Sequence, residues 1–213
     1  VAETDLVDFP ARDFMVGNKK LLINGGTAAP DFLKIFQYPL VKGDVNNVLK
    51  DPFSIVIDES TAKSVFGDDD PVGKTIRIDN QHDVKVTGVM KDFPSNSTFQ
   101  FHFLMPYSYA EQTADFVKNA RNDWGNNSFE IFVGLQPGVT NTQVAAKIKD
   151  LIAQNYPSSR SYKPEVFLYP LKDWHLYSDF KDGKAAGGFI SYVRMFSIIG
   201  AIVLLIACVN FVN

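Results

Sequence analysis

From Met195 to Val212 the chain reads MFSIIGAIVLLIACVNFV, without one charged side chain. A run of that length is at the threshold for a membrane span, which takes about 20 apolar residues. A core helix of a water-soluble protein would keep a polar stripe on one face, and this run has none. The sequence therefore predicts the start of a transmembrane helix over residues 191–213. Val1 and the abrupt end at Asn213 add the expectation of a piece cut from a longer membrane protein. Gly200 and Ala207, seven residues apart, fall nearly on one helical face, with Asn210 beside it. Small residues let helices approach in lipid, and an amide there seeks a partner. This face is expected to pack on another membrane helix.

Ahead of the run lies material for a folded domain. Of 213 residues, 46% are hydrophobic and 21% charged, so a core can be buried. The net charge of −3 is spread along the chain, and no basic block offers a surface for nucleic acid. The single cysteine, Cys208, lies in the apolar run, which rules out a disulfide framework.

Strand and helix patterns alternate, an α+β order. Gly17-Asn18 between apolar stretches signals a hairpin. Pro30 opens a short helix over Asp31–Phe36, which Pro39 ends. Phe53–Ile57 reads as a strand, and Asp58 as the cap of a helix that stops at Gly67. Strands are predicted at Lys74–Ile78 and Val84–Met90, joined by Asp79–Asp83. Alternation predicts another over Phe99, Phe101 and Phe103. A helix over Tyr107–Arg121, a strand at Phe129–Val133, an amphipathic helix capped by Thr140 or Asn141, and a strand over Val166 and Leu168, extending to Leu171, follow. Lys181–Gly188 is polar and small and reads as a linker, its glycines serving as a hinge or as a plain exit from the sheet. Two lobes, 30–125 and 126–172, are expected to meet near Trp124-Gly125.

The search for chemistry yields no catalytic, cofactor-binding or metal-ligating residue. His82, His102 and His175 lie on separate segments without metal-ligand spacing. Asp68–Asp70 lacks the spaced ligands of a calcium loop and reads as a solvated turn. Asp58-Glu59 fits a helix N-terminus, where carboxylates offset exposed N–H groups. Asp70-Pro71-Val72-Gly73-Lys74-Thr75 resembles the end of a phosphate loop, but position 68 is Asp and a strand follows, so that reading fails. Much of the aromatic content, 18 Phe and 8 Tyr, alternates along strands and belongs to a core.

Four segments, in order, resemble the periplasmic core domain of MacB-like permeases. They are Asp31–Asp44 (DFLKIFQYPLVKGD), Ile55–Gly67 (IVIDESTAKSVFG) with Asp70–Lys74 (DPVGK), Val86–Val89 (VTGV) with Asp92–Ser97 (DFPSNS), and the tail Ile206–Asn213 (IACVNFVN). The tail is similar to the opening membrane helix of an FtsX-type ABC transporter permease. The resemblance implies a two-lobed periplasmic domain. Residues 1–15 and 126–172 would form a porter-like βαβ lobe, incomplete at its N-terminus. Residues 16–125 would be an inserted α/β lobe, 173–190 a linker and 191–213 the start of a transmembrane helix.

It further implies a non-enzymatic permease in the bacterial inner membrane, with this domain on the periplasmic side and no cofactor. Such a permease would couple cytoplasmic ATP hydrolysis to periplasmic export, lipoprotein extraction or activation of a partner. The implied partners are an ABC ATPase subunit or domain, a second permease copy forming a dimer, and a periplasmic adaptor or lipoprotein. The alternative from another class is a membrane-anchored extracytoplasmic sensor that binds a ligand or peptide, which would need a deep pocket with convergent polar groups.

Overall fold

The computed structural model describes residues 2–212, with side chains from residue 11 onward. The chain forms two compact units, divided between Gln136 and Pro137.

The first unit is built on one mixed sheet. Its strands are β1 (Ala2–Val16), β2 (Lys19–Ala28), β3 (Leu40–Lys42), β4 (Ser54–Asp58), β5 (Thr75–Ile78), β6 (His82–Met90), β7 (Phe103–Pro106) and β8 (Glu130–Gly134). Its helices are α1 (Phe32–Ile35), α2 (Glu59–Phe66), α3 (Tyr107–Thr113) and α4 (Asp115–Ala120). The strands run in the order β2-β7-β4-β6-β5-β1-β8, and β1 also pairs with β2. That extra pairing closes β1, β2, β7, β4, β6 and β5 into a ring. Phe14 is the closing point: it stands opposite Leu21 of β2 and Ile78 of β5. Nearer its start β1 changes neighbour, and Ala2–Leu6 pair with β8. One sheet therefore runs across Trp124-Gly125.

Two turns fix this arrangement. Gly17 takes φ +56° at the β1–β2 hairpin, as its position in the sequence requires. Asp79 and Asn80 both take positive φ between β5 and β6. Asp79 also accepts hydrogen bonds from Arg12 Nη1 at 2.8 Å and from the Asp13 backbone N–H at 3.0 Å, which ties this hairpin to β1.

β4 shows why its sequence reads as an unbroken apolar run. Ile55 and Ile57 enter one buried cluster with Phe14, Ile76, Val86 and Phe103, while Val56 enters a second with Phe32, Leu33 and Met90. A strand covered on both faces has no polar side to show.

Several expectations need correction. Over Phe99–Phe101 the chain is irregular, and the strand begins at Phe103. The alternating rings are explained by packing: Phe99 and Phe101 stack at 5.6 Å, and Phe99 meets the edge of Phe36 at 5.0 Å. The helix expected over Tyr107–Arg121 breaks at Ala114, whose backbone is extended (φ −130°, ψ 109°).

In the second unit, α5 (Asn141–Ile148) and α6 (Leu151–Asn155) replace one continuous helix. Thr140 caps α5 in a reciprocal box with Gln143. No strand forms over Val166 and Leu168, and Leu171 instead starts a short helix. The Val166 N–H donates to Lys149 O at 2.9 Å, without a ladder partner that would extend the pairing. Then come α7 (Leu171–Trp174), the hairpin of β9 (Asp179–Lys181) and β10 (Lys184–Gly187), and α8 (Ile190–Val212). Lys181–Gly188 is thus mostly a hairpin, because Gly183 at φ +72° lets Lys181 and Lys184 pair.

Candidate functional site

The segment that enters α8 is the most tightly specified part of the second unit. Phe180 of β9 packs against Tyr169 at 4.9 Å and Phe167 at 5.7 Å. The Tyr169 hydroxyl donates to Tyr177 O at 2.7 Å. Desolvation, with the Asp173 carboxylate as a smaller cause, raises the pKa of that phenol. The Ile190 N–H, at the first residue of α8, donates to Leu176 O at 3.0 Å. Gly188, at φ +127°, lies directly on the same backbone. A Cβ there would come within 2.8 Å of Leu176 O and 2.9 Å of Ser178 N. Gly188 is therefore a close-packed joint between residues 175–178 and the helix, while a Cβ on Gly187 would meet only the Ser191 hydroxyl, at 3.4 Å. The sequence offered one sign of it, Gly187-Gly188 just before the apolar run. The partner segment, Leu176–Ser178, carried none.

α8 itself has 23 residues and a mean hydropathy of 2.6 over its best window. At about 1.5 Å per residue it spans about 34 Å, enough for a hydrocarbon core of about 30 Å. From Ser191 onward its side chains are exposed, and nothing outside the helix lies within 4 Å of a Cβ built on Gly200.

The residues weighed for chemistry fall in separate places. Asp58 is buried, with Oδ1 accepting from the Thr61 N–H at 2.8 Å and Oδ2 lying 2.7 Å from His102 Nδ1. It is the N-cap of α2, and His102 holds its second oxygen. Asp58→Ala would leave the Thr61 N–H and the imidazole without their acceptor. The expected loss is about 2 kcal/mol in urea unfolding, and about half of that for Asp58→Asn, which keeps an oxygen for the cap.

His82 sits edge-on to Tyr109 at 5.8 Å, and His175 stacks on Phe189 at 5.8 Å. Asp69 and Asp70 turn to lysines. Hydrogen bonds from Lys74 and Lys42, respectively, hold their carboxyls below the usual range. The Gly73 N–H donates to Val86 O, so the phosphate-loop look-alike uses this amide within the fold. No group of three metal-ligating side chains occurs among the described residues.

The decisive comparison is with sequence families. The pattern of the MacB-like periplasmic core domain matches residues 7–151, more than half of the chain. The chain belongs to that family. Solved structures agree in fold. A domain assigned to a permease protein of Porphyromonas gingivalis is 24% identical, with TM-score 0.61, covering 80% of this chain and 79% of its own. The periplasmic region of MacB from Actinobacillus actinomycetemcomitans is 20% identical, with TM-score 0.56 and coverage of 79% and 71%. The extracellular domain of the noncanonical ABC-type transporter YknZ from Gram-positive bacteria is 14% identical, with TM-score 0.51 and coverage of 73% and 75%. A comparison with curated proteins gave no match. The family pattern begins within β1 and ends in α6, so the joint and α8 lie beyond it. The MacB-like assignment thus rests on the ring of strands and its coverings, and not on the apolar helix.

Proposed function

We propose that this MacB-like domain stands on the periplasmic side of a bacterial inner membrane, that α8 crosses that membrane, and that the domain is a non-catalytic moving part of an ABC transporter permease. ATP hydrolysis by a partner subunit or domain in the cytoplasm moves α8. The joint at Gly188 carries the motion outward, where it drives export from the periplasm, lipoprotein extraction or activation of a partner. The observation that carries this reading is the closed packing of Gly188 and Ile190 against Leu176–Ser178. A helix that is to push a domain needs a stiff attachment.

Within this reading, residues 1–15 and 126–172 form the porter-like lobe and residues 16–125 the inserted one. The pairing of Ala2–Leu6 with β8 supports that grouping, and the pairing of the rest of β1 with β2 joins the two lobes through one sheet. The Gly200, Ala207 and Asn210 face packs on another helix of the permease, and two permease copies work together.

Affinity purification of the full-length permease tests the assembly. The expected result is recovery of an ABC ATPase with the parent, and loss of that partner when Gly200→Leu and Asn210→Leu are combined. Recovery of the parent without any ATPase would count against the proposal.

A further inference from the structure

The two units differ in the sign of their charge. Residues 1–136 hold 13 Lys and Arg against 19 Asp and Glu, and residues 137–213, which include α8, hold 8 against 5. Most cations of the second unit are also unpaired. Lys149 meets Glu165 at 2.9 Å, and Arg160 Nε donates to Ala153 O at 3.2 Å. The other six basic side chains have no ion-pair or hydrogen-bond partner among the described residues.

Two of the six stand together. Lys181 and Lys184 are directly opposite each other in the β9–β10 hairpin, across a turn in which Asp182 (φ +51°) and Gly183 (φ +72°) are both left-handed. Opposed residues of a ladder share one face, so both ammonium groups leave the same side of the hairpin. That side is exposed, because Phe180 takes the other and packs there on Tyr169 and Phe167. Like charges in direct opposition repel, and an anion between them would offset the repulsion. Asp179 and Asp182 of the same hairpin form no ion pair with either lysine.

The place of the hairpin beside α8 is fixed. Phe180 is seated on Tyr169, and Gly188 and Ile190 are seated on Leu176–Ser178. The uncharged run starts at Met195, so residues 190–194 rise by about 7 Å. A headgroup layer is about 5–7 Å thick, since the whole bilayer takes about 40–45 Å and its hydrocarbon core about 30 Å. The hairpin therefore joins α8 where that helix leaves the headgroups. An anionic surface attracts cations within a Debye length, about 8 Å in physiological salt.

We infer that Lys181 and Lys184 together bind the phosphate of an anionic phospholipid in the leaflet that α8 enters, which ties the joint to the membrane surface beside its own helix. The inference rests on the proposal that α8 spans the membrane. A free phosphate would offer the pair the same chemistry, and the place of the hairpin at the exit of α8 favours the lipid.

Lysine footprinting of the full-length permease tests it. The protein is placed in nanodiscs of phosphatidylcholine, with or without phosphatidylglycerol, and acetylated by a water-soluble ester, and mass spectrometry reads each lysine. Lys181 and Lys184 are expected to react about fivefold more slowly when phosphatidylglycerol is present. Salt at about 1 M, where the Debye length is about 3 Å, should restore the rate. Lys20 and Lys63, exposed in the first unit, should react alike in both lipids. In Lys181→Gln, Lys184 should lose most of its protection, because the anion is then held from one side only.

Equal rates in the two lipids would overturn the inference. So would slow reaction in detergent without lipid, which would mean that protein covers the pair. Inorganic phosphate that protects in detergent as well as phosphatidylglycerol does in discs would make this a free-anion site and remove the lipid. Full protection of Lys184 in Lys181→Gln would mean a general surface attraction and remove the pair as the site. Cys208, about 20 Å along α8 from Met195, reports on the premise. If a water-soluble maleimide reaches it in the discs, the spanning reading fails. If it stays protected while the lysines react alike in both lipids, only the lysine pair fails.

Discussion

The Gly25→Ala chain is expected to melt about 10 °C below the parent, a loss of about 3 kcal/mol. Gly25 lies in β2 where that strand passes β7, and its neighbour Gly26 pairs with Leu104. A Cβ on Gly25 would stand 2.4 Å from Phe103 Cδ1 and 2.5 Å from Phe103 O. The ring is fully buried and packs on Phe14 at 5.0 Å, so it has no room to withdraw. The carbonyl oxygen belongs to the strand itself and moves only if β2 and β7 separate. That separation would open the ring of strands, because β2 is the link between β1 and β7. Combining Gly25→Ala with Phe103→Leu should recover part of the loss, since it relieves the clash with the ring and leaves the one with the carbonyl. The check is a thermal melt of the detergent-solubilised chain followed in the near-ultraviolet. A Gly25→Ala chain as stable as the parent would show that this close approach does not exist.

Gly188→Ala is expected to disconnect the domain from its helix without unfolding either. At φ +127° an L side chain is strained by about 1–3 kcal/mol. Contacts of 2.8 and 2.9 Å with backbone atoms of Leu176 and Ser178 add an overpacking cost of similar size, about 1–3 kcal/mol. The cheapest relief is for residues 175–178 to move away, which breaks the Ile190 to Leu176 hydrogen bond. Limited proteolysis should then cut readily between residues 175 and 189, where the parent resists. Melting of the first unit should stay within about 2 °C of the parent, since no residue of that unit is touched. Transport by the full-length permease should fall to background while its ATPase still copurifies. A variant that resists protease and transports normally would mean that the joint carries no force.

Much of the fold was legible where one local signal decides the outcome. Asp58 with Thr61 three residues on marked a helix start, Gly17-Asn18 marked a hairpin, and the Ile55–Ile57 run marked a buried strand. Each depends on neighbours within a turn. The ring of strands was not legible, because β1 pairs with β2, β5 and β8 through contacts up to about 130 residues apart in sequence. The Phe99–Phe103 alternation misled because rings packed into a cluster from an irregular loop leave the same pattern as a strand. The linker reading of Lys181–Gly188 failed for a related reason: small and polar residues also build tight hairpins. At the joint, Gly187 and Gly188 were visible as glycines, but a close approach has two sides, and nothing in Leu176-Tyr177-Ser178 announces that it is the other one.

The central claim is that nucleotide turnover inside the cell moves this domain outside the membrane. It is tested most directly by spin-label distances between two copies of the full-length permease, labelled at Phe116→Cys in a background where every native cysteine, Cys208 included, is replaced by serine. Phe116 is 53% exposed, so a label there should not disturb the core. With its ATPase present, the parent is expected to show different distance distributions with and without hydrolysable ATP, and the Gly188→Ala permease the same distribution in both. A parent whose distribution is unchanged by ATP while the ATPase turns over would contradict the account.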